Sequence, residues 1–183
     1  MAIYTKRGDK GETGLYSETH EKRVAKNSKR IAAIGAIDEA NSYLGICEAK
    51  LRIKNLKFKI KQIQEDLFVI GAILATADIK FDPKRVLELE ADIDKWEGQL
   101  PVLSHFILPG GSELAAHLFY SRALVRKAER AMVSLKTSEP VDNNLLQYIN
   151  RLSDFLFMLG RLVNFKGGKI ESIWPSLQKS KNR

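Results

Sequence analysis

The chain has 183 residues and a mass of 20.7 kDa, within the range of one domain built around one core. Its 44% hydrophobic and 28% charged residues exclude an intrinsically disordered chain, and a lone cysteine, Cys47, excludes an intrachain disulfide framework and any multi-cysteine metal site, which fits a reducing cytosol. Thirty Lys and Arg against 22 Asp and Glu leave a formal charge of +8, favouring an anionic partner such as nucleic acid, a phosphate-bearing ligand or a membrane surface.

The N-terminus MAIYTKRGDKGETG is polar and glycine-rich and lacks a secretory h-region, so it reads as a mature end. No apolar run approaches the ~18–20 residues that span a bilayer, so the expected protein is soluble. Residues 1–27 carry Gly8, Gly11 and Gly14 among charged and hydroxyl side chains, without apolar periodicity, and read as an extended arm. From Ser28 the period turns helical, with Ile31, Ile34, Asp38, Asn41 and Gly45 three and four apart and Ile37 and Leu44 beside them. A second helix follows from Leu56, Ile60, Ile63, Leu67, Ile70 and Leu74. Asp82-Pro83 supplies an N-cap and a first-turn proline for a third, which carries Val86, Leu89, Ile93, Trp96 and Leu100.

Pro101 and Leu108-Pro109-Gly110-Gly111 then mark a loop. Ser112 and Glu113 open a fourth helix with Leu118, Val125, Ala128, Met132 and Leu135 on one stripe. The fifth begins near Asp142, carries Leu145, Ile149, Leu152, Leu156, Leu159 and Val163, and ends at Gly167-Gly168. No strand pattern stands out, so the expected fold class is all-α, a five-helix bundle with an extended N-terminal arm. The chain divides into an arm (1–27), a bundle (28–170) and a tail (171–183) whose end, QKSKNR, is expected to fray.

Several polar residues exceed what a bundle requires. Arg122, Arg126, Glu129 and Arg130 share one face of the fourth helix, either as a solvated basic face or as a guanidinium pair receiving polyphosphate or a carboxylate. Asp38 and Asn41 interrupt the stripe of the first helix: either Asp38 meets a cation from a neighbouring helix or chain, or that face is not buried within one chain. Asn150, Ser153, Asp154 and Phe157 flank the ridge of the fifth helix, where Asn150 and Asp154 could equally be solvated. The arm combines glycines, hydroxyls and Lys6, the ingredients of a phosphate cradle or of a flexible terminus, without a Walker spacing. His20, His105 and His117 form no Glu-x-x-His pairs and read as surface or locally bonded residues, and Cys47 as a buried structural thiol.

The arm IYTKRGDKGETG, the segment from Lys26 to Gly45 with GAIDEANSYLG, the stretch FILPGGS into SRALVRKAER, and YINRLSDFLFMLGR together resemble the PduO-type ATP:cob(I)alamin adenosyltransferases, or corrinoid adenosyltransferases. Four motifs in one order carry this likeness across residues 3–163. The resemblance implies a five-helix bundle that forms a homotrimer with active sites between subunits. It implies an intersubunit salt bridge from Asp38 to Arg122, whose loss disturbs corrin binding. ATP would be held by Thr5, Lys6, Arg7, Gly8, Thr13 and Gly14, with Lys26, Arg126, Lys127, Ala128, Glu129, Arg130 and Asn150 completing the site.

The implied reaction transfers the 5′-deoxyadenosyl group of ATP to the cobalt of cob(I)alamin and releases triphosphate, with Mg2+ or another divalent cation, the arm and Arg126 neutralising the leaving group. An aromatic matching Phe106 would close the lower cobalt face as the lower ligand leaves and four-coordinate Co(II) forms; beside Ile107 and Leu108 it could instead seed the core. The implied partners are a corrinoid reductase and an adenosylcobalamin-dependent enzyme in the cytoplasm, with neither nucleic acid nor membrane. The alternative is a non-catalytic helical carrier of adenosylcobalamin or another anionic ligand. Ala36 and Ala40 depart from the Thr and Leu of many members, and Lys127 stands where a second Arg is often found, keeping charge but losing a bidentate fork.

Overall fold

The computed structural model describes residues 4, 6–16 and 23–174. Thr5, His20 and the end of the tail therefore lie outside the described residues. The elements run β1 (Glu12–Gly14), β2 (Arg23–Ala25), α1 (Lys29–Lys50), α2 (Lys54–Leu74), α3 (Lys84–Glu97), α4 (Glu113–Lys136) and α5 (Asn143–Lys166).

Local chemistry sets the helix starts. Ser28 accepts from the Ile31 N–H, Ser112 from Ala115 and Asp142 from Asn144, each satisfying a donor that a first turn leaves free. Asp82 caps α3 by accepting from the Lys84 N–H at 3.0 Å, with Pro83 already at a helical φ of −64°. Gly168, at φ 64°, takes the chain out of α5.

The expected stripes of α2 to α5 all face the core. In α1 the stripe is displaced: Ala33, Ile37, Ala40, Leu44 and Cys47 are buried, whereas Asp38 is exposed and Ile31 and Ile34 are half-buried. Alanines and isoleucines occupy two adjoining faces of this helix, so its periodicity alone does not distinguish core from groove.

Helix α5 packs against α4 and α3, while α1 packs against α4 and α2. Side chains close the ring between α2 and α3. Arg85 grips both oxygens of Asp66 at 2.8–2.9 Å, the Tyr148 hydroxyl of α5 donates to Asp66 Oδ2 at 2.6 Å, and Lys59 pairs with Asp92 at 2.8 Å. Fully buried Leu67, Ile70, Leu145, Leu152, Phe155 and Leu156 supply the driving force, about 1.5–3 kcal/mol each.

Two short pairings fall outside the all-helical expectation. Strands β1 and β2 pair antiparallel, with Thr13 opposite Val24, which folds the arm back on itself. Strands of three residues are too short to show alternation, so the sequence pattern did not expose them. The second is a bridge between Ile107 and Ile173, before α4 and after α5.

Candidate functional site

The described part of the arm is a tight series of turns. Lys6 and Gly11 have φ of 57° and 82°, the Asp9 N–H donates to the Lys6 carbonyl, and that of Gly11 to Gly8. Both N–H groups are spent within the loop, which closes it on itself beside Lys6, Arg7 and Lys26. Lys26 folds over this loop: its N–H donates to the Gly11 carbonyl at 2.9 Å, and a Cβ on Gly8 would lie 3.2 Å from Lys26 Nζ. Arg23 was not singled out from the sequence, yet its guanidinium donates to the carbonyls of Arg7 (2.7 Å) and Glu12 (3.1 Å) and holds the hairpin closed. Lys6, Arg7 and Lys26 all remain exposed.

The hairpin docks on the end of α2, where the Tyr16 N–H donates to the Ala75 carbonyl and the Thr76 hydroxyl to that of Tyr16. Between arm, α1 and α2 lies a groove of about 500 Å³ that includes Thr13, Gly14, Ile34, Asp38, Asn41 and Phe68. Asp38 makes no ion pair among the described residues. Asn41 is buried and exchanges two hydrogen bonds with Gln64, leaving its Oδ1 without a partner among the described residues. Within the single chain Asp38 therefore meets no cation among the described residues and its face is open, which leaves a cation from a neighbouring chain as its remaining partner.

A second surface lies on α4 and α5. Arg126 and Arg130 are exposed, Glu129 accepts from Asn150 Nδ2 at 2.9 Å, and Lys127 pairs with Glu39 of α1. Ala128 points the other way, fully into the core. Arg122 is half-buried with its guanidinium 5.4 Å from the centre of the Phe157 ring. Desolvation first, then the neighbouring Arg126, hold its pKa below the ordinary guanidinium value, against a weaker opposing pull from Asp154.

The same Arg122 and Phe157 line a cavity of about 360 Å³ with Asp154, Phe119, Leu103 and Phe106. Phe106 is 81% exposed, so it is not a core residue of this chain. The loop that carries it is anchored by α5: buried Asn164 accepts from the Ser112 N–H (2.9 Å) and donates to the Gly110 carbonyl (2.9 Å). A Cβ on Gly111, at φ 101°, would lie 2.4 Å from the Asn164 amide, which explains the glycine at that position.

The structure thus gathers the sequence-derived candidates on two surfaces. Thr13, Gly14 and Asp38 share the groove beside the arm, while Arg122 and Phe106 share the α4/α5 cavity. No hydrogen bond or ion pair among the described residues joins Asp38 to Arg122, Arg126 or Asn150. Asp154, which could equally be solvated, and its neighbour Phe157 both line the cavity. Arg161 and Asn164 went unnoticed, although their polar side chains within the buried ridge of α5 were the available signal.

Cys47 is buried against the Ser121 hydroxyl at 3.3 Å, and burial raises its pKa, as a structural thiol requires. His117 Nδ1 is 2.8 Å from the Tyr43 hydroxyl and His105 Nδ1 is 2.8 Å from that of Ser104, both local bonds. No group of three His, Cys, Asp or Glu converges among the described residues, and no described helix is long and apolar enough to cross a membrane.

A sequence model of the family described as cobalamin adenosyltransferase matches residues 3–163. The corrinoid adenosyltransferase of Bacillus subtilis (strain 168) is 40% identical over 176 residues, covering 92% of this chain and 89% of that protein. The corrinoid adenosyltransferase MMAB of Homo sapiens is 38% identical over 184 residues, covering 94% and 72%. A solved structure of a variant PduO-type ATP:corrinoid adenosyltransferase from Lactobacillus reuteri, complexed with cobalamin and ATP, matches with a TM-score of 0.90 at 33% identity, covering 96% of this chain and 97% of that one.

Proposed function

This chain belongs to the cobalamin adenosyltransferase family, and from that premise we propose that it is an enzyme that transfers the 5′-deoxyadenosyl group of ATP to cob(I)alamin, releasing triphosphate. The observation that carries this reading is the division of the candidate residues between two surfaces of one chain. A groove whose carboxylate, Asp38, pairs with no cation among the described residues complements a cavity whose half-buried cation, Arg122, rests on an aromatic ring with no ion-paired carboxylate among the described residues. The two meet when the groove of one copy faces the cavity of another. That is a head-to-tail contact, which closes into a ring when the rotation allows, here a trimer.

In such a site the arm, with Lys6, Arg7, Gly8 and Lys26, surrounds the triphosphate, and Arg126, Glu129, Arg130 and Asn150 contribute from the facing α4/α5 surface. Co(I) attacks C5′ of the ribose, the C5′–O5′ bond breaks, and its electron pair leaves with triphosphate. The corrinoid supplies the nucleophile, so the protein aligns the reactants and stabilises charge on the leaving group, and no general base is required. A magnesium ion would be bound mainly through phosphate oxygens, and no step is assigned to a cation held by the described residues. Co(I) requires a reductase and a reducing compartment, which supports a cytoplasmic enzyme, and the product serves an adenosylcobalamin-dependent enzyme.

The test is an anaerobic optical assay with chemically reduced cob(I)alamin, ATP and magnesium. Loss of the Co(I) absorption with equimolar triphosphate is expected; corrin binding without turnover would assign the chain to the carrier class instead. Sedimentation at micromolar concentration is expected to show a trimer, and a stable monomer would refute the shared site.

A further inference from the structure

Phe106 sits on a loop between α3 and α4 that has no secondary structure of its own to hold it, and its side chain is largely exposed. The segment that leaves α5 supplies what the loop lacks. The Trp174 N–H donates to the Phe106 carbonyl at 2.7 Å, and the Leu108 N–H donates to the Ser172 carbonyl at 2.7 Å, so both flanks of Ile107 are bonded to one strap. Below the strap lies Arg161, 3% exposed, on the last turns of α5. Its Nε and Nη2 reach the two carboxylate oxygens of Glu171 at 2.7 and 3.1 Å, and Nη2 also donates to the Pro101 carbonyl at 2.9 Å. One buried guanidinium therefore ties the start of the Phe106 loop to the strap, while Asn164, one turn along, holds the loop's end.

A buried guanidinium is costly unless its bonds are made, and Arg161 meets that demand with the half-buried Glu171 carboxylate and the Pro101 carbonyl, which fixes the strap against the loop. We propose that Arg161, Glu171 and the strap from Glu171 to Trp174 are positioning residues that set Phe106 at the height where its ring closes the lower face of the corrinoid. This rests on the adenosyltransferase reading. Removing a strap bond lets the ring retreat and lets a lower ligand return to cobalt, so Co(II) becomes harder to reduce. Co(I) binds no lower ligand, so a reaction started from Co(I) does not depend on the height of the ring.

The test compares the two starting oxidation states in the full-length protein. Trp174→Pro deletes the N–H that holds the Phe106 carbonyl, Trp174→Ala keeps it while removing the indole, and Glu171→Ala leaves the buried Arg161 with only the Pro101 carbonyl among the described residues, a destabilisation that a thermal melt reads separately from the kinetics. With Co(II) and a reductant, Trp174→Pro and Glu171→Ala are expected to lose at least about tenfold in kcat, as one or two lost hydrogen bonds imply. The proline variant must fall below the alanine variant. With Co(I) supplied directly, both are expected to stay within about twofold of wild type. Electron paramagnetic resonance of the Co(II) complex with ATP should show less four-coordinate cobalt in both, matching Phe106→Ala. Equal losses from Co(II) and Co(I), or wild-type rates from Co(II), would overturn the positioning role. A wild-type protein that makes no adenosylcobalamin from Co(I) would overturn the enzyme assignment itself, and this role with it.

Discussion

The guanidinium of Arg122 lies 5.4 Å from the centre of the Phe157 ring, one helix away, with no carboxylate in ion-pair contact among the described residues. Asp154, the nearby acid on the same helix as Phe157, is engaged by Arg151 at 3.2 Å. In the proposed assembly this half-buried cation on an aromatic face receives a further anion, Asp38 from the exposed edge of another copy's α1 groove.

This relationship predicts coupling between the two residues. Asp38→Asn is expected to raise the KM for corrinoid with little change in the KM for ATP, and Arg122→Ala to do the same. In the double variant the losses should fall short of the sum by about 1–3 kcal/mol, as for groups in one pair. Strict additivity in a double-mutant cycle would show that they never meet.

Arg126 is exposed on the same face, so it can be removed without opening the core. Arg126→Ala is expected to cost at least about 100-fold in kcat, the scale for losing one group that stabilises developing charge. Sedimentation and circular dichroism should be unchanged. A variant with full activity would place the triphosphate elsewhere.

The two glycines before α4 separate cleanly. Gly111 has φ 101° and faces Asn164, so Gly111→Ala is expected to destabilise by about 1–3 kcal/mol through strain and displacement of the Asn164 bonds. Gly110 has open space where a Cβ would go, and Gly110→Ala should stay within about 0.5 kcal/mol. Thermal melts of both variants make the comparison, and equal melting temperatures would refute it.

Tyr148 gives a pH prediction. Burial first, then the Asp66 carboxylate, push its hydroxyl well above the ordinary value of 10.0. The folded chain keeps this proton where the unfolded chain releases it, so the associated stability is complete below about pH 10 and is lost as pH rises further. Tyr148→Phe should cost about 1–2 kcal/mol at neutral pH, because Asp66 then keeps only Arg85, and should flatten the alkaline decline. Urea midpoints at about pH 8 and about pH 10.5 test both parts, and an alkaline decline as steep as wild type would contradict the assignment.

How much was legible in advance follows from the range of each interaction. The stripes of α2 to α5, the Ser112 and Asp142 caps and the Gly167-Gly168 stop were readable because periodicity and capping act within a few residues. In α1 two small-apolar faces competed, so Asp38 was found as an anomaly without its direction. Arg161 and Asn164 stayed hidden because their partners lie at Pro101, Glu171 and Gly110, contacts that only chain folding creates.

The sequence by itself determined the five helices, the buried faces of α2 to α5 and the family, because apolar period, end-capping chemistry and four ordered motifs are local properties of the chain. Tertiary structure decided that the arm closes as a hairpin clasped by Arg23, that Asp38 and Arg122 stand on separate surfaces, and that the Phe106 loop is bonded to Ser172 and Trp174 of the strap. Those outcomes depend on which distant groups packing brings within about 3 Å of one another, and hydrogen bonds of that reach are specified only once the core has formed.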